Sequence, residues 1–265
     1  MINLTFELNK IYNMDCVEGM RQIPDNCIDL TITSPPYDNL RIYNGFSWDF
    51  ETTAKELYRI TKQGGVVAWV VGDATIKGSE TGTSFKQVLF FKECGFNLHD
   101  TMIYRKLNYT PLNHNRYEQE FEFMFVLSKG KPKTFNPIKI PCKWAGTQSW
   151  GKCSYYKTND GVLTPKEKYV ISDTKIKGNI FEYLTGSTKA GKIKHPAVFP
   201  EQLATDHIIT WSSEGDIVLD CFMGSGTTAV SCVKNNRNFI GFEISKEYCE
   251  IAEQRISAVK ERERG

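Results

Sequence analysis

The chain has 265 residues and a mass of 30.3 kDa, which suits one large α/β domain carrying an insertion better than two equal domains. Its composition is 40% hydrophobic with a net charge of +2, and residues 66–71 form its longest strongly apolar run. A sizeable core is therefore expected, while a signal peptide or membrane span is not, which points to a cytoplasmic protein.

Residues 10–14 read as a short strand ending at Asp15 and Cys16, followed by a brief helical turn over 17–21 and a turn at Pro24-Asp25-Asn26. The β-branched run 28–32 then stops at Thr33-Ser34-Pro35-Pro36-Tyr37. This pattern predicts a buried strand whose carboxyl end opens into a stiff loop. Each proline fixes φ near −65° and lacks an N–H, and Pro36 pushes Pro35 into an extended conformation. The carbonyls of Ser34 and Pro35 become fixed acceptors for an NH2 group, with the Tyr37 ring beside them to stack on a planar base. The plainer reading of Pro35-Pro36 alone is a turn closing a strand.

Helical spacing covers residues 50–61 and stops at Gly64-Gly65. The continuous apolar stretch 66–71 is the pattern of a strand buried on both faces. A helix over 84–94, closed by Gly95, precedes two strands at 97–106 and 120–127. From about 132 to 190 the rhythm breaks, and the segment reads as an irregular or β insertion. Between 131 and 194, thirteen lysines face four carboxylates, an excess of nine that leaves the rest of the chain at −7. Such a block suits a polyanion-facing surface, although a solvated Lys-rich face would have the same composition. A helix at 201–211, a strand at 217–220, a helix at 225–234, a strand at 238–243 and a helix at 246–260 complete a mostly parallel, doubly wound sheet.

The eight cysteines contain no CxxC pair and read as reduced, buried residues. Cys142 and Cys153 with a histidine fit no usual zinc spacing, and four scattered histidines give no metal site, so none is expected.

Asp220-Cys221-Phe222-Met223-Gly224-Ser225-Gly226-Thr227-Thr228 follows a strand and opens a helix. Its glycines allow close backbone approach, and the helix start favours an anionic group. Glu243, nineteen residues after Gly224, ends the next strand and can accept hydrogen bonds from a ribose diol. Gly224-x-Gly226-x-x-Ala229 also satisfies GxGxxA, so a dinucleotide-dependent oxidoreductase is a rival reading. Asp220, before the turn, would repel a pyrophosphate and suits the ammonium of S-adenosylmethionine. The SPPY loop supplies an amine acceptor that hydride transfer does not need.

Together, SPPY and DCFMGSGTT resemble the amino-methyltransferases of DNA, which methylate N4 of cytosine or N6 of adenine. With SPPY first and the glycine loop last, the chain resembles their β group, whose Rossmann-like sheet is circularly permuted. Lys194-His195-Pro196-Ala197-Val198-Phe199-Pro200-Glu201-Gln202-Leu203 is similar to the segment covering the methionine end of the cofactor. Asp15-Cys16 with Gly19-Met20 and Pro24-Asp25 is similar to the segment whose acid contacts the adenine, and residues 120–131 resemble the strand near the target base. The resemblance covers everything except the basic insertion.

It implies a catalytic domain over 1–131 and 191–265, with target recognition over 132–190. Ser34, Pro35, Pro36 and Tyr37 become catalytic. Asp15, Cys16, Thr33, His195, Pro196, Phe199, Asp220, Phe222, Gly224, Ser225, Gly226, Thr227, Thr228 and Glu243 become cofactor-binding. Lys139, Lys143, Trp144, Lys152 and Lys157 become DNA contacts. The partner implied is double-stranded DNA, with a cognate restriction endonuclease as a second candidate, for a monomer or homodimer. Serine before PPY favours cytosine N4 over adenine N6, and an RNA or protein amine would present the same donors.

Overall fold

The computed structural model describes residues 5–36, 48–109, 111, 115–149, 155–165, 167–185 and 200–264. They form two compact units, 1–136 with 179–265, and 137–178.

The first unit begins with β1 (Lys10–Asn13), α1 (Cys16–Arg21), β2 (Ile28–Thr33), α2 (Phe50–Ile60) and β3 (Thr61–Val71). A two-residue hairpin, β4 (Thr75–Ile76) with β5 (Ser79–Glu80), precedes α3 (Thr83–Glu93), β6 (Asn97–Lys106) and β7 (Phe121–Ser128). The second unit holds β8 (Lys139–Pro141), β9 (Tyr155–Lys157), β10 (Leu163–Pro165) and β11 (Thr174–Ile176). The chain returns to the first with β12 (Ile180–Tyr183), α4 (Glu201–Trp211), β13 (Ile217–Asp220), α5 (Thr227–Lys234), β14 (Asn238–Glu243) and α6 (Lys246–Arg264).

Eight strands make one sheet in the order β1-β14-β13-β2-β3-β7-β6-β12. All neighbours run parallel except β7, which is antiparallel to both β3 and β6. Alternate residues of β3 serve two cores. Val67, Trp69 and Val71 join Met20 of α1, Leu57 and Ile60 of α2 and Phe91 of α3. The opposite face carries α4, α5 and α6, which pack in a row. Burying one side chain such as Trp69 or Phe91 contributes about 2–3 kcal/mol. The only indole hydrogen of Trp69 is satisfied by Gln87 Oε1 at 2.9 Å.

Three expectations are corrected. The helix over 50–61 does not run to Gly64-Gly65. It ends at Ile60, where the extended Thr61 returns its amide and hydroxyl to Leu57 O and Lys129 Nζ caps the carbonyls of Tyr58 and Thr61. Gly64, at φ +81°, lies instead inside β3, in an irregularity where the pairing jumps from Ile28–Thr61 to Leu30–Val66. Residues 179–185, expected in the insertion, belong to the first unit, because β12 pairs with β6 as a parallel edge strand. The helix expected from Ser225 starts at Thr227, since Gly226 adopts the left-handed conformation at φ +81°.

Among its described residues the second unit holds two three-residue antiparallel pairs, β8 with β11 and β9 with β10, and an isolated bridge between Gln148 and Val170. Lys139, Lys143 and Lys157 are exposed, as is Trp144 at 61%, with Lys143 Nζ 5.3 Å from the Trp144 ring centre. Lys152 lies outside the described residues. Among the described residues no helix is long and apolar enough to cross a membrane.

Candidate active site

The strand order reverses direction between β13 and β2, and a doubly wound sheet opens its ligand crevice at the carboxyl ends of such a pair. Asp220 ends β13 and Thr33 ends β2, and the two are joined by a 2.7 Å hydrogen bond from Thr33 Oγ1 to Asp220 Oδ1. The same carboxylate accepts the Phe222 amide at 3.0 Å and the Thr228 hydroxyl at 2.6 Å. Burial pushes its carboxyl above the ordinary range, and these three donors pull the other way. At 1% exposure, with three protein donors, Asp220 ties β2, β13 and α5 together. The ammonium contact expected from the sequence finds no open face on it.

Ser34 and Pro36, half-buried, and Pro35, buried, follow directly on Thr33. Neither proline has an amide hydrogen, so the loop presents acceptors where β2 ends. Tyr37 lies outside the described residues, as do His195, Pro196 and Phe199.

On the other side of Asp220, the loop 221–226 turns into α5. Gly226 is the cap residue of α5 and brings no side-chain acceptor to the first-turn amides, which leaves them for an anion. A side chain at Gly226 would be strained by its positive φ and would meet Ala252 Cβ at 2.7 Å, so this close backbone requires glycine. The hydroxyls of the loop do not face outward. Thr228 bonds Asp220, while Ser225 and Thr227, each 4% exposed, are reached by Arg255 Nη1 of α6 at 3.1 and 3.4 Å. The side chains of Ser225, Thr227 and Thr228 are thus engaged within the protein, and the backbone is what the loop presents.

Glu243 ends β14, where Oε2 accepts the Gly224 amide at 2.7 Å and Oε1 the Ser245 amide at 2.8 Å. Each oxygen keeps a second acceptor position, the requirement for gripping a vicinal diol. Burial raises this carboxyl and the two amides lower it.

Farther along the same edge, Asp15 caps α1, its Oδ1 accepting the amides of Val17 and Glu18 at 2.8 and 3.1 Å. It lines a cleft of about 430 Å³ with Arg21, Trp48, Asp49 and Thr52. The Trp48 ring meets Phe222 edge-on at 5.1 Å, so Phe222 joins the aromatic wall. Asp49 and Arg255 escaped sequence reasoning. One arginine among the charged residues of α6 has no mark that separates it from a solvated face. Cys16, buried near Asp15, has its thiol pushed up to about 12 by burial, and Cys221 is raised well above its usual value, so neither is a thiolate nucleophile. Among the described residues no cluster suited to a metal ion occurs.

Comparison with known proteins agrees with this geometry. The N6/N4 DNA methylase model matches residues 28–254. The chain is 54% identical over 239 residues to the orphan methyltransferase M.BamHII of Bacillus amyloliquefaciens, covering 88% of this chain and 90% of that protein. Among solved structures, the M1.HpyAVI–SAM complex superposes with a TM-score of 0.60 at 25% identity, covering 93% of this chain and 98% of that one. The cytosine-N4-specific PvuII DNA methyltransferase shares the fold, with a TM-score of 0.70 at 19% identity over 98% and 96% of the two chains. A sheet with one antiparallel strand, an SPP loop facing a glycine loop across the switch point, and a match of this extent establish that the chain belongs to the N6/N4 DNA methylase family and is a DNA amino-methyltransferase.

Proposed function

We propose that the protein transfers a methyl group from S-adenosylmethionine to the exocyclic N4 amine of a cytosine flipped out of duplex DNA. The observation that carries this reading is the neutral acceptor pair, Ser34 and Pro35, at the carboxyl end of β2, directly beside the Asp220 tie and the glycine loop. Family membership removes the dinucleotide alternative.

The residues present fit the cofactor. The uncapped start of α5 suits the methionine carboxylate, Glu243 the ribose hydroxyls, and the cleft at Asp15 with the Trp48–Phe222 wall an adenine ring. S-adenosylmethionine, when bound, supplies an electrophilic methyl group on a sulfonium. The protein's task is to make the amine a better nucleophile and aim it. Its lone pair is delocalised into the base ring. Ser34 Oγ and the Pro35 carbonyl accept the two N–H hydrogens, which draws the nitrogen towards tetrahedral geometry and turns the lone pair to the methyl. Nitrogen forms its bond to carbon as the carbon–sulfur bond breaks, and the extra proton leaves to water. No protein nucleophile is required. Flipping the base out costs a few kcal/mol, offset in this reading by stacking on Tyr37.

Serine supplies the base preference argued here, because a neutral hydroxyl accepts a hydrogen bond without taking up a proton. The 54% identity to an orphan enzyme supports action without a paired endonuclease. Nucleoside mass spectrometry on DNA incubated with protein and S-adenosylmethionine should show N4-methylcytosine. N6-methyladenine in its place would overturn the base assignment, and no methylated nucleoside on several DNAs would overturn the whole proposal. Ser34→Ala should lower single-turnover methylation by about a hundredfold and leave cofactor affinity nearly unchanged.

A further inference from the structure

Arg255 stands on α6, thirty residues beyond the Ser225 it touches. Its Nη1 donates to the Ser225 carbonyl and reaches the hydroxyls of Ser225 and Thr227. One turn earlier on the same helix, Ala252 lies against Gly226, so closely that a Cβ there would be 2.7 Å from Ala252 Cβ. A single stretch of α6 therefore backs the whole glycine loop. Among the described residues no carboxylate forms an ion pair with Arg255. Glu201, the acid whose charge it feels, is paired with Lys234. The loop is this arginine's partner.

We propose that Arg255 is a positioning residue for cofactor binding, holding the Ser225 carbonyl and two hydroxyls so that the open amides of α5 meet the carboxylate of the methionine moiety. The inference rests on the cofactor placement proposed above. Gly224 and Gly226, at φ +51° and +81°, give the loop freedom to adopt other conformations, and the contacts of Arg255 Nη1 select one. A lysine would keep the charge but lacks the rigid, planar guanidinium that sets where the donor nitrogen lies. Removal would leave two buried hydroxyls and a carbonyl without their donor. The positive charge behind the first turn of α5 also favours an anion in front of it.

The test is calorimetric binding of S-adenosylhomocysteine and of 5′-methylthioadenosine, which lacks the amino-acid end, to wild-type protein, Arg255→Ala and Arg255→Lys. Arg255→Ala should weaken S-adenosylhomocysteine by about tenfold while 5′-methylthioadenosine stays within about twofold, and Arg255→Lys should fall between. At saturating S-adenosylmethionine the single-turnover rate should be retained, giving a KM effect without a kcat effect. Thr227→Val, which keeps the arginine, should show a smaller loss in the same direction. Equal weakening of both ligands, with a fall in Tm, would reveal a general structural role and overturn the proposal, as would unchanged S-adenosylhomocysteine affinity. If wild-type protein binds both ligands equally, the loop does not hold the methionine end, and the cofactor placement fails before Arg255 is tested.

Discussion

Glu243 accepts two backbone amides through its two oxygens, from Gly224 at 2.7 Å and Ser245 at 2.8 Å. That arrangement tolerates no donor in place of either oxygen. Glu243→Gln would set an NH2 group against one of the two amides, so the loss exceeds that of a charge alone. We expect cofactor affinity to fall by about fivefold or more, about 1–3 kcal/mol, measured by titration with S-adenosylhomocysteine. An unchanged affinity would show that the carboxylate serves only the loop. The acid itself was legible in the sequence, because a carboxylate at the end of the strand after a glycine turn has a defined place in this topology. The hydroxyls of Ser225, Thr227 and Thr228 were not. Their partners, Asp220 and Arg255, are separated from them by 8 and by 28 to 30 residues, and nothing local decides whether a loop hydroxyl faces the ligand or the interior.

At the scale of elements, the site depends on how β2 and β13 end side by side. Pairing of Val218 with Leu30 and of Leu219 with Thr31 brings Asp220 and Thr33 to the same edge, where the 2.7 Å bond joins them. Thr33→Val keeps the shape and removes the donor, leaving the buried Asp220 with Phe222 and Thr228 alone. The expected cost is about 1–3 kcal/mol, a fall in Tm of several degrees, with slower methyl transfer because Ser34 follows directly on the broken tie. Thermal melting together with single-turnover kinetics checks this, and wild-type values for both would show that the bond contributes nothing. Strands and helices with clear periodicity were legible to within a few residues, as β6, α4, β13 and β14 show. The periodicity of α2 ended within a residue of its true boundary. The four residues from Thr61 to Gly64 were not legible as strand, because Gly64-Gly65 carries a helix-ending signal and the Lys129 cap depends on tertiary contacts. β12 was hidden because four residues, IFEY, inside a lysine-rich segment carry too little pattern to declare a strand without β6 to pair with.

For the whole molecule, charge is distributed unevenly. Residues 137–178 hold eight lysines against three carboxylates, an excess of five in a chain whose total is +2. Their strands are only three residues long, and Trp144, Tyr155 and Tyr169 are exposed. A unit so poor in apolar core and so rich in cations and open aromatic faces is suited to phosphates and bases rather than to packing. As the proposed site of target recognition, it should supply much of the salt dependence of DNA binding. Replacing Lys139, Lys143 and Lys157 together by alanine removes at most three phosphate contacts. The slope of log affinity against log salt should then become shallower by up to about 2.7. S-adenosylhomocysteine affinity should be retained, because none of these residues belongs to the cofactor site argued above. Fluorescence anisotropy of a duplex across a salt series reads the slope directly. A slope identical to that of the wild type would mean that these lysines are a solvated face and that the phosphates are met elsewhere on the protein.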